Sequence, residues 1–279
     1  MHGTVSTIGE FSGAQSVERA LRLLAIVARD AENGMSLSAI VAESGLNKPT
    51  ARRLLVALMR ARLVEQDSQS RRYHLGDEAF VLGVLASRRH GLLELSMESL
   101  RALSGITMDS SFLSVRRDNF SVCLYREEGT YPVRTHALQA GLQHPLGIGA
   151  GSLAMLSALP DTEIESVLAA NRAIMGAQYP SYSVDQMRLD VADTRRRGFA
   201  LNPGRIVSSS WGVGTVFRYP DGRVAGALSI AAIDSRVGPE RQPELAQHLK
   251  TETARIEAKL RTMFVPCAPH PADLARARA

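Results

Sequence analysis

Cysteine is nearly missing from this chain: there are two in 279 residues, Cys123 and Cys267. That excludes a disulfide framework and the paired spacings of zinc sites, and it fits a reducing, cytoplasmic setting. Long hydrophobic runs are missing too. No apolar stretch reaches the ~18–20 residues that a membrane span needs. The N-terminus, Met1 to Ala14, is small and polar, without the basic start and apolar run of a signal peptide. Tryptophan occurs once, at Trp211; it either lines a pocket or fills the core. There is no G-x-S-x-G, so a hydrolase elbow has no support. Gly147, Gly149 and Gly151 lack the G-x-G-x-x-G spacing and the following Lys-Ser/Thr of a nucleotide loop. His136 and His144 have no acid-rich cluster near them and read as ordinary hydrogen-bonded histidines. No cofactor and no metal is called for.

What is present is a core and a local excess of positive charge. Apolar residues make up 45% of the chain, enough for one large domain or two ordinary ones. The formal net charge is +5. Between Asn47 and Leu75, seven cations (Lys48, Arg52, Arg53, Arg60, Arg62, Arg71 and Arg72) stand against Glu65 and Asp67. This one window matches the whole excess, and the rest of the chain sums to zero. Positive charge concentrated on one module is the footprint of a polyanion partner.

Read along the chain, apolar spacing predicts a helix over Val17–Arg29, with Ser16 as its N-cap and Asn33-Gly34 as its stop. Ser36 caps a short helix, Leu37–Glu43. Gly45 supplies the positive φ of a tight turn. Asn47 caps the next helix, Lys48–Ala61, with Pro49 in its first turn, where a missing N–H costs nothing. Ala51, Leu54, Leu55 and Leu58 form its buried stripe. Two short strands, Leu63–Glu65 and Tyr73–Leu75, frame a polar hairpin carrying Arg71 and Arg72. A helix over Glu78–His90, capped by Asp77, separates this module from a second unit.

The second unit should open with a helix at Leu92–Leu103. Strands follow at Ser111–Arg117, Ser121–Arg126 and Val133–Ala137. Cys123, in an alternating strand, reads as a small core residue. Helices are expected at Ser152–Leu159, Asp161–Ala170 and Val184–Arg197, strands at Gly212–Tyr219 and Arg223–Ile233, and a closing helix at Glu240–Met263. Strands and helices do not alternate regularly, so the class is α+β.

A capped helix, a glycine turn, a capped basic helix and a basic hairpin in this order make a winged helix-turn-helix. Its second helix can present N-terminal residues to base edges in the major groove. The candidate DNA contacts are Ser36, Asn47, Lys48, Pro49, Thr50, Arg52, Arg53, Arg71 and Arg72, with Arg60 and Arg62 behind them. Arg suits guanine O6 and N7, and Thr suits the thymine methyl. The competing view is that these charges merely solvate a small helical module; the ordered conjunction of features argues against it.

The segment SVERALRLLAIVARDAENGMSLSAIVAESGLNKPTARRLLVALMRARLVEQDSQSRRYHLGDEAFVLG resembles the N-terminal domain of the isocitrate-lyase-regulator (IclR) family of bacterial transcription factors. His144-Pro-Leu-Gly-Ile-Gly-Ala-Gly-Ser152 resembles that family's glycine-rich segment, Arg196-Arg-Gly-Phe-Ala200 its RRGYA-type motif, and Asp221–Ile230 its late strand pair. The resemblance covers about Ser16 to Val265. It implies a flexible tail (1–15), a DNA-binding domain (16–76), a linker helix (77–91), a GAF-like effector-binding domain (92–265) and a second flexible tail (266–279). It also implies homodimers or dimers of dimers on double-stranded operator DNA, and a small organic acid or aromatic metabolite as effector. Carried over residue by residue, the effector site comprises Gly149, Ala150, Asn202, Ser210, Gly212, Ser229 and Ala231. The chain departs from the pattern at Leu201-Asn-Pro-Gly-Arg-Ile206, which has no carboxylate and carries Arg205. That cation, with Ser208, Ser209 and Ser210, suits an anionic or hydrogen-bonding ligand; otherwise Arg205 points to solvent.

The function this implies is ligand-responsive regulation of transcription, with repression as the default sign and no enzymatic activity. The alternatives are a ligand-binding or enzymatic domain with a basic appendage, and an architectural nucleic-acid binder.

Overall fold

The computed structural model describes residues 14–30, 33–133 and 138–263. Both expected tails lie almost wholly outside that range, as do His136, Cys267 and all but the first residue of the strand expected at Val133–Ala137. The chain divides after Gly91 into two compact units.

The first unit contains α1 (Gln15–Val27), α2 (Leu37–Ser44), α3 (Lys48–Arg60), β1 (Val64–Gln66), β2 (Tyr73–Leu75) and α4 (Asp77–His90). Leu23, Ile26 and Val27 of α1, Ile40 of α2 and Ala51, Leu54, Leu55 and Leu58 of α3 share one buried core. The local signals for α2 and α3 act as the sequence predicts. Ser36 Oγ accepts the Ala39 N–H at 3.2 Å, and Asn47 Oδ1 accepts the Thr50 N–H at 2.9 Å. Gly45 closes α2 in the left-handed region, φ 69°, a conformation that penalises any Cβ. β1 and β2 pair antiparallel, Val64 with Leu75. Tyr73 then exchanges backbone hydrogen bonds with Met35, which pins the wing to the start of α2.

Two expected caps are corrected. Ser16 lies inside α1, whose N-cap is Ala14 without a side-chain bond. Asp77 is the first residue of α4, and Gly76 holds the cap position. The Asp77 carboxylate instead accepts from the Arg62 guanidinium, with Nε at 3.0 Å. A charge-assisted bond to a cation displaces the capping role.

The second unit contains α5 (Leu92–Thr107), β3 (Ser110–Arg117), β4 (Phe120–Glu127), β5 (Gln143–Pro145), α6 (Ala150–Ser157), α7 (Asp161–Gln178), α8 (Val184–Arg197), β6 (Ala200–Pro203), β7 (Ser210–Arg218), β8 (Val224–Ile233) and α9 (Arg241–Met263). Its six strands form one antiparallel sheet in the order β5-β4-β3-β8-β7-β6. Side chains alternate between faces along each strand. Val213, Phe217, Leu228 and Ile230 pack against α5 and α9, through Leu100, Leu103, Leu249 and Ile256. Ala227 and Val216 face the other cluster, with Leu153, Met155 and Leu156 of α6, Ile164 and Leu168 of α7, and Met187 and Val191 of α8. Gly214 permits this packing, because a Cβ there would lie 2.6 Å from the Ala150 carbonyl carbon. The architecture is α+β. Strands β5 and β6 are additions to the expected set. Both are short edge strands, whose hydrophobic pattern is too brief to read.

Candidate nucleic-acid interface and effector cavity

The leucine stripe of α3 faces the core, so its other side is presented outward. Asn47, Lys48, Pro49, Arg52, Arg53 and Arg60 are exposed and Thr50 is half-buried. Two concave surfaces flank the helix. One, of about 660 Å³, lies between the start of α2, α3 and the wing; Ser36, Ser38, Lys48, Arg52, Gln66 and Arg71 line it. The other, of about 710 Å³, runs along the far side past Pro49, Arg53, Val56 and Arg60, and shares Lys48 and Arg52 with the first. Among the described residues, Lys48, Arg52, Arg53, Arg60 and Arg71 form no ion pair, whereas Arg29 is paired with Glu43 and Arg62 with Asp77. The unpaired cations therefore form a continuous positive surface. Lys48 stands at the positive end of the α3 dipole, where a cation is disfavoured unless an anion meets it.

The two wing arginines part company. Arg71 sits at φ 59° and lines the groove. Gln66 Nε2 donates to its carbonyl at 2.8 Å, and the Asp67 carboxylate, accepting Ser70 N–H and Oγ–H at 2.7 Å each, closes the wing tip. Those bonds hold Asp67 below the usual carboxylate range, the Ser70 hydroxyl first among them. Arg72 lines neither concavity. Its Nη1 donates to Gly34 O at 2.8 Å, which ties the wing to the turn before α2.

In the second unit, a cavity of about 50 Å³ lies at the N-terminus of α6. All seven residues singled out for effector contact line it: Gly149, Ala150, Asn202, Ser210, Gly212, Ser229 and Ala231. They come from α6, β6, β7 and β8, far apart in sequence. Ser114, Ser121, Cys123, His144 and Ser152 also line it, and sequence reasoning missed their place there. The i, i+2 spacing of Ser121 and Cys123 was the available signal; which strand face meets a cavity depends on sheet order. Trp211 lines the cavity as well as packing against the core.

The cavity wall is mostly apolar, with Phe112, Ile148, Ile206, Trp211 and Ile230, and carries no Asp, Glu, Lys or Arg; a few hydrogen-bonding groups are set into it. Gly149 is the N-cap of α6 at φ 87°, and the first N–H groups of a helix lack intrahelical acceptors. Tyr182 accepts the Gly149 N–H at 3.3 Å and donates to Asn202 Oδ1 at 3.1 Å. That occupies the Asn202 carbonyl and leaves its Nδ2 for an occupant. Burial pushes the Tyr182 hydroxyl up to about 12. His144 Nδ1 meets the Tyr179 hydroxyl at 2.8 Å, while its Nε2 is buried without a partner. Burial lowers the pKa of this imidazole, keeping it neutral near pH 7. Cys123 donates weakly to Tyr125 O at 3.5 Å, and burial raises its thiol to about 12, which makes it inert. No group of three His, Cys, Asp or Glu suited to a metal occurs among the described residues.

Arg205 is neither a cavity residue nor solvent-directed. Its guanidinium grips the Asp190 carboxylate, Nη2 at 3.0 Å from Oδ1, and lies 5.6 Å from the Tyr182 ring centroid. The Asp190 hydrogen bond holds the Arg205 pKa above its ordinary value. The anion-binding role expected for Arg205 fails because a carboxylate on α8 already takes its charge.

A basic winged helix-turn-helix joined to an α+β unit with a small, mostly apolar cavity is the build of a ligand-responsive transcriptional regulator. The family model for the IclR helix-turn-helix domain matches residues 16–68, and that for the bacterial transcriptional regulator IclR C-terminal domain matches residues 84–258. The chain belongs to the IclR family of transcriptional regulators. It is 26% identical over 246 residues to the HTH-type transcriptional repressor AllR of Klebsiella pneumoniae, covering 87% of this chain and 88% of that one. A crystal structure of an IclR-type regulator from Silicibacter sp. TM1040 superposes with TM-score 0.73 at 25% identity, over 91% of this chain and 98% of that one. An IclR homologue from Microbacterium hydrocarbonoxydans complexed with 4-hydroxybenzoate shares the fold, with TM-score 0.73 at 19% identity over 88% and 99%.

Proposed function

We propose that this regulator is a repressor that grips operator DNA as a homodimer. The N-terminal end of α3 reads bases, and Arg71 on the wing meets the backbone. Ser36, Asn47, Lys48, Pro49, Thr50, Arg52 and Arg53 form the docking surface, with Arg72 holding the wing in place. The unpaired cations of α3 carry this reading, because a positive surface without internal partners attracts polyanions. α4 exposes Phe80, Val81, Val84 and Leu85 along one side, an apolar face that a second copy would cover. Among the described residues no helix is long and apolar enough to cross a membrane; the site of action is the cytoplasmic nucleoid.

The effector is a small carboxylate bound at the α6 N-terminus by backbone N–H groups, Asn202 Nδ2 and the hydroxyls of Ser210 and Ser229. The α6 N-terminus and a few hydrogen-bonding groups in an otherwise apolar wall without fixed charge support an anion held by hydrogen bonds and the helix dipole. Space for each water requires ~10–15 Å³, so the cavity of about 50 Å³ admits an acid of two or three carbons; an aromatic ring would require its walls to part. Effector binding alters the paired half-site geometry through α4, a coupling of about 1–3 kcal/mol.

The test is fluorescence anisotropy of the protein on its own upstream DNA from 50 to 200 mM salt, with and without acids of two to four carbons. Affinity should fall by ~10³–10⁵ over that range for about 6–10 phosphate contacts. Absence of a shift at low ionic strength under every condition rejects the reading.

A further inference from the structure

β6 pairs with β7 only from Ala200↔Gly214 to Pro203↔Trp211, so β7 runs on from Thr215 to Arg218 without a strand on that side. A second cavity, of about 310 Å³, lies there, bordered by the ends of α6 and α8 and by α9. It shares no lining residue with the cavity at the α6 N-terminus. Its volume falls at the lower end of the ~300–1,000 Å³ usual for small-molecule sites.

Its chemistry is cationic and unsatisfied. Thr194 and Thr215 line it, are 7% and 6% exposed, and have hydroxyls without any hydrogen-bond partner. Buried side-chain hydroxyls are nearly always paired, so two unmatched ones bordering one concavity are unspent hydrogen-bonding capacity beside it. Lys250 also lines the cavity, with Nζ 3.2 Å from where a Cβ on Gly198 would stand. It forms no ion pair among the described residues. Two arginines at the rim neutralise the negative end of α6. Arg195 donates to Ser157 O at 2.9 Å and Leu159 O at 2.7 Å, and Arg218 to Ala158 O at 3.2 Å. Asp161 pairs with Arg195, and Glu257 accepts the Arg218 backbone N–H; neither lines the cavity. The lining thus holds cations and hydroxyls but no carboxylate.

We propose that this cavity is a second ligand site, separate from the effector cavity, for a small molecule bearing an oxyanion. Lys250 Nζ and the hydroxyls of Thr194 and Thr215 bind that group. A compact ammonium and two rotatable hydroxyls suit carboxylate or phosphate oxygens alike.

The test is calorimetric titration of the full-length protein at low ionic strength with sodium acetate and, separately, inorganic phosphate. Saturable binding of at least one is expected, and it should persist in Asn202→Ala, which alters the cavity at the α6 N-terminus and leaves this one intact. Binding of acetate alone marks a carboxylate ligand and of phosphate alone a phosphorylated one. Lys250→Ala and Thr215→Val should each weaken that binding at least 10-fold. Both variants should remain folded: Lys250 is exposed, and Thr215→Val removes an unmatched buried hydroxyl, so its Tm should hold or rise. No saturable binding of either anion overturns the proposal. So does binding that survives both substitutions, whether Arg52→Ala removes it, which puts the anion on α3, or Asn202→Ala removes it, which puts the anion in the cavity at the α6 N-terminus.

Discussion

Tyr182 donates its hydroxyl hydrogen to Asn202 Oδ1 at 3.1 Å, and the Tyr182 hydroxyl oxygen accepts the Gly149 N–H at 3.3 Å. One phenol thereby ties the β6 wall of the proposed effector cavity to the N-cap of α6. Tyr182→Phe keeps the ring and deletes that tie. Leaving buried polar groups unpaired costs about 1–3 kcal/mol, so denaturant midpoints should fall accordingly. Binding of small carboxylates should weaken beyond the stability loss, because Asn202 loses its orientation. Unchanged effector titrations with a lowered midpoint would make Tyr182 purely structural.

Arg52→Ala or Arg53→Ala should cost about 1–3 kcal/mol of operator affinity and relax base preference if either side chain reads bases. Arg71→Ala should weaken all sequences alike and reduce the salt slope by about one, as a phosphate contact does. Arg72→Ala should act differently. It frees the Gly34 carbonyl and loosens the wing, so thermal stability should fall along with affinity. Footprinting and melting of the four variants separate these outcomes.

His144 makes stability depend on pH. Its folded pKa lies below the ordinary 6.5, through burial, so the unfolded chain binds its proton first as pH falls. The contribution is complete above pH 6.5 and declines below it, toward the folded value. Stability should therefore drop as pH falls below 6.5, and His144→Gln should flatten that part of the profile. Urea denaturation at half-unit pH steps measures it, and identical slopes would remove His144 as the cause.

Gly214→Ala should be severe. The added methyl would stand 2.6 Å from both the Ala150 carbonyl carbon and its oxygen, and backbone yields less readily than a side-chain tip. Overpacking of this kind costs about 1–3 kcal/mol or more. It also displaces α6, which lines the effector cavity. Circular dichroism melts should show the loss; a wild-type Tm would mean that α6 slides freely.

The regulator's head was legible because its signals are local. Ser36 and Asn47 cap helices through bonds that span three residues, and Gly45 ends α2 by its own φ. Side-chain pairs across longer separations were not legible. Arg62 with Asp77, Arg72 with Gly34 and Arg205 with Asp190 each join positions that only chain reversal brings together. So the expected roles of Asp77 and Arg205 changed, and Arg72 proved to be an anchor. The walls supplied by Ser114, Ser121 and Cys123 were unreadable for a related reason: alternation shows that a strand has two faces, not which face a cavity takes.

By itself, the amino-acid order determined the caps of α2 and α3, the glycine turn, the leucine stripe and the cationic window, since each depends on neighbours within a turn or two. Tertiary structure alone decided which arginines keep their charge unpaired and which strand faces enclose a cavity. Coulomb attraction and packing act on distance in space, and folding sets that distance.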